Sequence, residues 1–169
     1  MAKKISLREF QEHLAARLAG ASKHGSVSLL GVQAGSDYWL LNLSDSGEIV
    51  PLTPLNTVPL TKPWFAGIAN IRGNLYAVSD FSAFQGKEPT PQNASSRLLL
   101  IGTRHGSNCA LLVTRMLGLR NVESLNAAPV DPAAPAWAQE AFTDSDGRRW
   151  QKLNVRELLA DETFMEIGA

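Results

Sequence analysis

Lys62-Pro63-Trp64-Phe65-Ala66-Gly67-Ile68-Ala69-Asn70-Ile71-Arg72-Gly73-Asn74-Leu75-Tyr76-Ala77-Val78-Ser79-Asp80-Phe81 is the stretch on which the fold turns. Two short runs of strand character, residues 68–72 and 75–80, flank Gly73-Asn74. A two-residue connection of this kind makes a tight hairpin, with glycine supplying positive φ at low steric cost. The segment is predicted to be a rigid two-strand unit. Gly67 stands where the backbone changes direction between Trp64-Phe65 and the strand at Ile68. Glycine suits such a place through positive φ, or because a partner's backbone approaches closely. Trp64 and Phe65 are expected to pack inward as a hydrophobic plug, the alternative being an exposed anchor. Arg72 ends the first strand, and a guanidinium there is costly to desolvate unless a carboxylate meets it. Glu48 is the candidate carboxylate.

Working outward, the same texture continues on both sides. Leu30, Val32 and Ala34 alternate, Gly35-Ser36-Asp37 turns, and Trp39, Leu41 and Leu43 alternate again. A turn at Asp45-Ser46-Gly47 leads into Glu48-Ile49-Val50-Pro51-Leu52. Downstream, residues 98–101, 109–113 and 117–122 read as strands, with His105-Gly106-Ser107 a turn between the first two. Phe142-Thr143 and residues 150–153 flank Asp144-Ser145-Asp146-Gly147, a second hairpin signal. Pro129, Pro132 and Pro135 make residues 127–136 a connection.

Helices bracket the strands. Ser6 and Glu9 fit a capping box, and Leu7, Phe10, Leu14 and Leu18 form one apolar stripe over residues 6–19. Asn154, with Glu157 three residues on, starts a C-terminal helix. Few helices intervene between successive strands, so the chain is predicted to be mainly β, a barrel or sandwich rather than a parallel α/β sheet. The expected division is 1–26 as N-terminal helix and linker, and 27–169 as the β domain.

The totals narrow the function. Among 169 residues 44% are hydrophobic and 19% charged, and sixteen basic residues balance sixteen acidic ones. A nucleic-acid binder usually carries a clear basic excess, so that class is not expected. No run approaches the roughly 18–20 apolar residues of a membrane span, and charged residues from Arg8 onward interrupt any signal core. The expectation is a cytoplasmic protein without membrane insertion. The lone Cys109, in an apolar run, argues for a core residue and against a disulfide framework.

Catalytic signatures are missing. His13, His24 and His105 have no ligand-spaced partners, and no nucleophile elbow, phosphate loop or dinucleotide fingerprint is present. Asp144-Ser145-Asp146-Gly147 imitates the start of a calcium loop, but Arg148 and Val155 occupy the places of later ligands, and a hairpin turn explains it better. Neither a metal nor a cofactor is expected. The competing enzyme hypothesis is a small hydrolase using His105 and Ser107.

The opening stretch resembles the signature of the CheW-like domain family, in Gly67, Asn70, Arg72, Gly73 and Asp80. Gly47-Glu48-Ile49-Val50 resembles that family's Glu-Ile strand, and Glu48 precedes Arg72 by 24 residues, as the family spacing requires. Within the family the chain is most similar to the adaptors of type IV pilus, or twitching-motility, chemosensory systems. The resemblance implies two intertwined SH3-like five-stranded β-barrels with flanking N- and C-terminal helices. It implies a non-enzymatic adaptor whose partners are the regulatory domain of a CheA-type histidine kinase and the cytoplasmic tip of a methyl-accepting receptor. The alternative within the fold is a standalone regulator of flagellar chemotaxis. The candidate receptor- or kinase-binding residues are Glu48, Gly67, Asn70, Arg72, Gly73, Val113 and Met116, with Trp64, Phe65 and Asp80 structural. Gly67 is expected beside the receptor-facing groove.

Overall fold

The computed structural model describes residues 28–101 and 107–169, together with Gln11. The described chain starts in one sheet, builds the whole of a second, and returns to the first. β1 (Ser28–Ala34) and β2 (Asp37–Asn42) open the first sheet. β3 (Ser46–Pro51), β4 (Leu55–Asn56), β5 (Phe65–Ile71), β6 (Asn74–Asp80), β7 (Arg97–Ile101) and β8 (Cys109–Val113) make the second. β9 (Arg115–Asn121), β10 (Asn126–Ala128), β11 (Glu140–Thr143) and β12 (Arg149–Lys152) complete the first. The strand orders are β10-β11-β12-β2-β1-β9 and β3-β7-β8-β6-β5-β4.

The mainly β architecture with two interleaved units is as expected, but each unit has six strands rather than five. β4 and β10, of two and three residues, sit beside Pro54 and Pro129, and strands so short leave no periodic signature. Most neighbours are antiparallel. Two parallel pairs, β12 with β2 and β6 with β8, join parts of the chain that are distant in sequence.

The main core lies between the sheets. Leu30, Val32, Trp39 and Leu41 from the first sheet meet Leu99, Ile101, Leu111 and Val113 from the second, and Phe81, Trp137, Leu153, Leu158 and Phe164 belong to the same cluster. Each sheet also buries its other side: Ala69, Val78, Leu98 and Leu112 in one cluster, Leu29, Leu40 and Trp150 in another. A buried leucine is worth about 1.5–3 kcal/mol relative to exposure, so these two-faced strands dominate stability.

Three short helices follow from their caps. α1 (Phe81–Phe84) starts at Asp80, α2 (Val155–Ala160) at Asn154 and α3 (Glu162–Met165) at Asp161. Asn154 Oδ1 accepts from Glu157 N at 3.1 Å, as the sequence suggests. A cap of this type contributes roughly 1 kcal/mol. Asp161 accepts from Phe164 N and from Trp137 Nε1, tying α3 to the core. The expected N-terminal helix lies outside the described residues except for Gln11, which is helical and exposed.

The second hairpin is a turn that binds itself. Asp144 Oδ1 accepts from the backbone N–H of Asp146 and of Arg148, and Oδ2 accepts from Trp150 Nε1, each at 2.9 Å. The Trp150 bond, followed by those backbone bonds, holds the Asp144 carboxyl below its ordinary range. This carboxylate is engaged within its own loop, which supports a turn over a cation loop. Arg148 lies over the Tyr38 ring at 4.2 Å and fixes the same loop to β2.

Candidate functional site

The last pair of the first hairpin is Ile71 with Asn74, so its two-residue turn is Arg72-Gly73, one residue earlier than the sequence suggested. Both turn residues are left-handed, with φ of 53° and 86°. That is the combination a type I′ hairpin requires. Asn70 stabilises it, its Oδ1 accepting from Gly73 N at 2.9 Å. Asn-Ile-Arg-Gly is thus a self-capped tip in which arginine, not only glycine, takes the costly backbone conformation.

The turn projects Arg72 outward, where its guanidinium pairs with the Glu48 carboxylate on β3. β3 is an edge strand three places from β6. The pair therefore joins parts of the sheet that are not neighbours in strand order. The expected pairing is present, but it is not a desolvated pair: the Arg72 and Glu48 side chains are 67% and 43% exposed. Exposed pairs contribute at most about 1 kcal/mol. Both charges remain accessible to another molecule. Beside them, Leu75 stands opposite Asn70 and is 58% exposed. The sequence reading had Leu75 as an ordinary strand residue; its position next to the turn, one before buried Tyr76, was the available signal.

Two candidates lie elsewhere than a surface role needs. Gly67 is buried, has φ of 134°, and sits at a register shift in β5. A Cβ there would come within 2.5 Å of the Asn56 carbonyl oxygen on β4. Gly67 does take positive φ, but the backbone that approaches it is β4 of its own chain and not a partner's. Val113 is 1% exposed and packs in the main core, as the last residue of an apolar strand. Met116 is 46% exposed, but on β9 of the other sheet. Glu48, Asn70, Arg72 and Gly73 therefore form one contiguous tip that does not include the remaining three.

Trp64, Phe65 and Asp80 lie inside the fold. Trp64 and Phe65 are buried, with the Trp64 ring stacked on Phe164 at 6.1 Å and edge-on to Phe84 at 5.0 Å. Asp80 is also buried. It caps α1 through Ala83 N, accepts from Thr90 N at 2.7 Å and from Thr90 Oγ1 at 2.6 Å, and donates its own N–H to the Trp64 carbonyl. This carboxylate joins the end of the hairpin to the loop before β7. The role of Thr90 left no sequence signal, because the contact spans a loop.

Among the described residues no group of three or more His, Cys, Asp or Glu side chains gathers to hold a metal. Ser107 is described, but its proposed partner His105 lies outside the described residues. Cys109 is half-buried, and burial pushes its thiol above the ordinary value, which disfavours the reactive thiolate.

With this geometry in place, the family comparison is decisive: residues 28–163 match the CheW-like domain. The chain belongs to the CheW-like domain family. Over 76 residues it is 29% identical to Protein PilI of Pseudomonas aeruginosa, a match spanning 45% of this chain and 43% of that protein. The match thus covers less than half the length of that relative. Among solved structures it is similar to the scaffolding protein TtCheW from Thermoanaerobacter tengcongensis, with a TM-score of 0.65 and 18% identity over 77% of this chain and 85% of that one. At that identity the likeness is one of fold. This CheW-like chain has no helix among the described residues long and apolar enough to cross a membrane.

Proposed function

We propose that this CheW-like protein is an adaptor that does no chemistry and couples a methyl-accepting receptor to a CheA-type histidine kinase. It binds the cytoplasmic receptor tip and the kinase regulatory domain at separate surfaces. Its function is then a coupling free energy between those two sites. The system it serves is a chemosensory one controlling twitching through type IV pili, a reading supported by the similarity to PilI. The protein works in the cytoplasm, held near the membrane through the receptor array.

The observation that carries this proposal is the rigid, exposed hairpin tip at Asn70-Ile71-Arg72-Gly73, with accessible Glu48 and Leu75 beside it, in a family member. An accessible charge pair next to an exposed leucine suits a polar and apolar contact with a helical partner. The test is paired titration of the full chain against the isolated kinase regulatory domain and against a receptor-tip fragment. Both should bind, and Arg72→Glu should weaken the receptor fragment at least tenfold while leaving the kinase domain within twofold. Absence of binding to both partners would overturn the proposal.

A further inference from the structure

A cavity of about 350 Å³ opens on the first sheet, whereas the hairpin tip belongs to the second. It lies between β11 and β12, the turn that follows α1, and the proline-bearing connection ahead of β11. That volume falls within the roughly 300–1,000 Å³ of small-molecule sites. Much of its wall is apolar, from Trp39, Val130, Pro135 and Trp137. The connection is held in place by its own backbone. Ala134 N donates to the Asp131 carbonyl, Ala138 N to that of Pro135 and Asn154 N to that of Trp137, each at 2.9 Å. A ligand entering this cavity does not have to order the loop that encloses it, which removes one cost of binding.

One group of the wall lacks what burial demands. Trp39 is 1% exposed, and its indole Nε1–H has no hydrogen-bond partner. A buried donor left unpaired costs about 1–3 kcal/mol. Gln151, directly opposite Trp39 in the β12–β2 pair and also part of the wall, does not supply the acceptor. The other indole of the wall is satisfied, since Trp137 Nε1 donates to Asp161 Oδ2 at 3.2 Å. The charges around the cavity divide in the same way. Lys87 pairs with Asp37, Glu140 pairs with Lys152 at 3.4 Å, and Asp131 accepts from Ala133 N at 2.8 Å in its own loop. Arg149 lines the cavity, is exposed, and has no ion-pair partner among the described residues. It stands two residues before Gln151 on β12 and so shares the face on which Gln151 meets Trp39.

We propose that this cavity binds a small aromatic carboxylate. Its carboxylate accepts the Trp39 indole N–H and pairs with the Arg149 guanidinium, so that one group satisfies both the unpaired donor and the unpaired cation. Its ring packs against Trp137 and Pro135. Asp131 and Glu140 on the same wall disfavour a second negative charge on the ligand. The inference is independent of the adaptor reading, because no residue of the hairpin tip takes part.

Indole N–H resonances of the full chain, titrated with benzoate and with neutral benzamide, provide the test. Benzoate should move the Trp39 indole proton downfield in a saturable way. Trp150, whose indole N–H is already bonded to Asp144, should stay in place. Arg149→Gln, a change at an exposed position, should weaken benzoate about tenfold and leave the response to benzamide unaltered. Arg148→Gln removes the same charge one residue away, from a guanidinium that lies over the Tyr38 ring, and should leave benzoate affinity within twofold. A Trp39 resonance that stays still up to millimolar benzoate, or that moves equally with benzamide, would overturn the proposal. So would benzoate affinity that Arg149→Gln leaves intact, or that Arg148→Gln lowers as much, since the latter marks a general effect of charge.

Discussion

Gly67→Ala adds one methyl group and should destabilise the protein through two separable effects. The backbone effect comes from φ of 134°, a conformation that side-chain-bearing residues rarely adopt; holding one there costs about 1–3 kcal/mol. The packing effect comes from the new Cβ, 2.5 Å from the Asn56 carbonyl oxygen and 3.0 Å from its carbon. Both contacts are to backbone, so β4 itself must retreat and its pairing with β5 through Leu55–Ala69 and Asn56–Ile68 is strained. Overpacking of this kind costs about 1–3 kcal/mol. The sum centres near 4 kcal/mol, or roughly a 10 °C fall in Tm for a chain of this size. Gly73→Ala is the matched control: its φ is 86°, but an added Cβ meets nothing within 4 Å. It should show the backbone effect alone. Urea denaturation of both variants measures the difference, expected at about 1–3 kcal/mol. Equal stability of the two variants would refute the clash with β4. With Gly67 buried, affinities for both partners should fall together with stability, not for the receptor alone.

Further predictions concern the two turns. A double-mutant cycle on Glu48 and Arg72 should give a coupling of at most about 1 kcal/mol, because the pair is exposed; a larger value would mean that it fastens the barrel. Arg72→Gly removes a side chain from a left-handed position and should leave stability unchanged or raise it by up to about 1 kcal/mol, as read from urea midpoints. Asp144 has a lowered carboxyl pKa, held down first by the Trp150 indole N–H. The unfolded chain binds this proton more readily, so the contribution is present above the ordinary Asp value near 3.9 and is lost as pH falls through the lower folded value. Stability curves of wild type and Asp144→Asn should therefore converge on acidification, and parallel curves would contradict the assignment.

The sequence revealed elements better than it revealed their partners. The Asn154 cap and both hairpins could be read locally, since the residues involved lie within a few positions of one another. Leu30, Val32 and Ala34 do face the core, but Leu29 and Gly31 are buried as well, so alternation showed only half of what β1 buries. The parallel joins of β12 to β2 and β6 to β8 are set by long-range packing and leave no local mark. At the site, the need of Arg72 for a carboxylate and the family spacing both pointed to Glu48, and the hairpin turn was displaced by one residue because an arginine occupies the left-handed position before glycine. Asn70 explains how that is tolerated. Val113, a candidate for partner binding, ends a run, Cys109 to Val113, that is apolar throughout, and it lies in the core.

Receptor control of kinase autophosphorylation tests the adaptor function most directly. The CheA-type kinase and receptor-tip assemblies are combined with and without this protein, and the initial rate of phosphate incorporation is followed. An adaptor that couples the two makes the kinase rate depend on the receptor only when it is present, and Arg72→Glu abolishes that dependence while the variant still binds the kinase regulatory domain. A kinase rate indifferent to the protein at concentrations that saturate both partners would contradict the proposal.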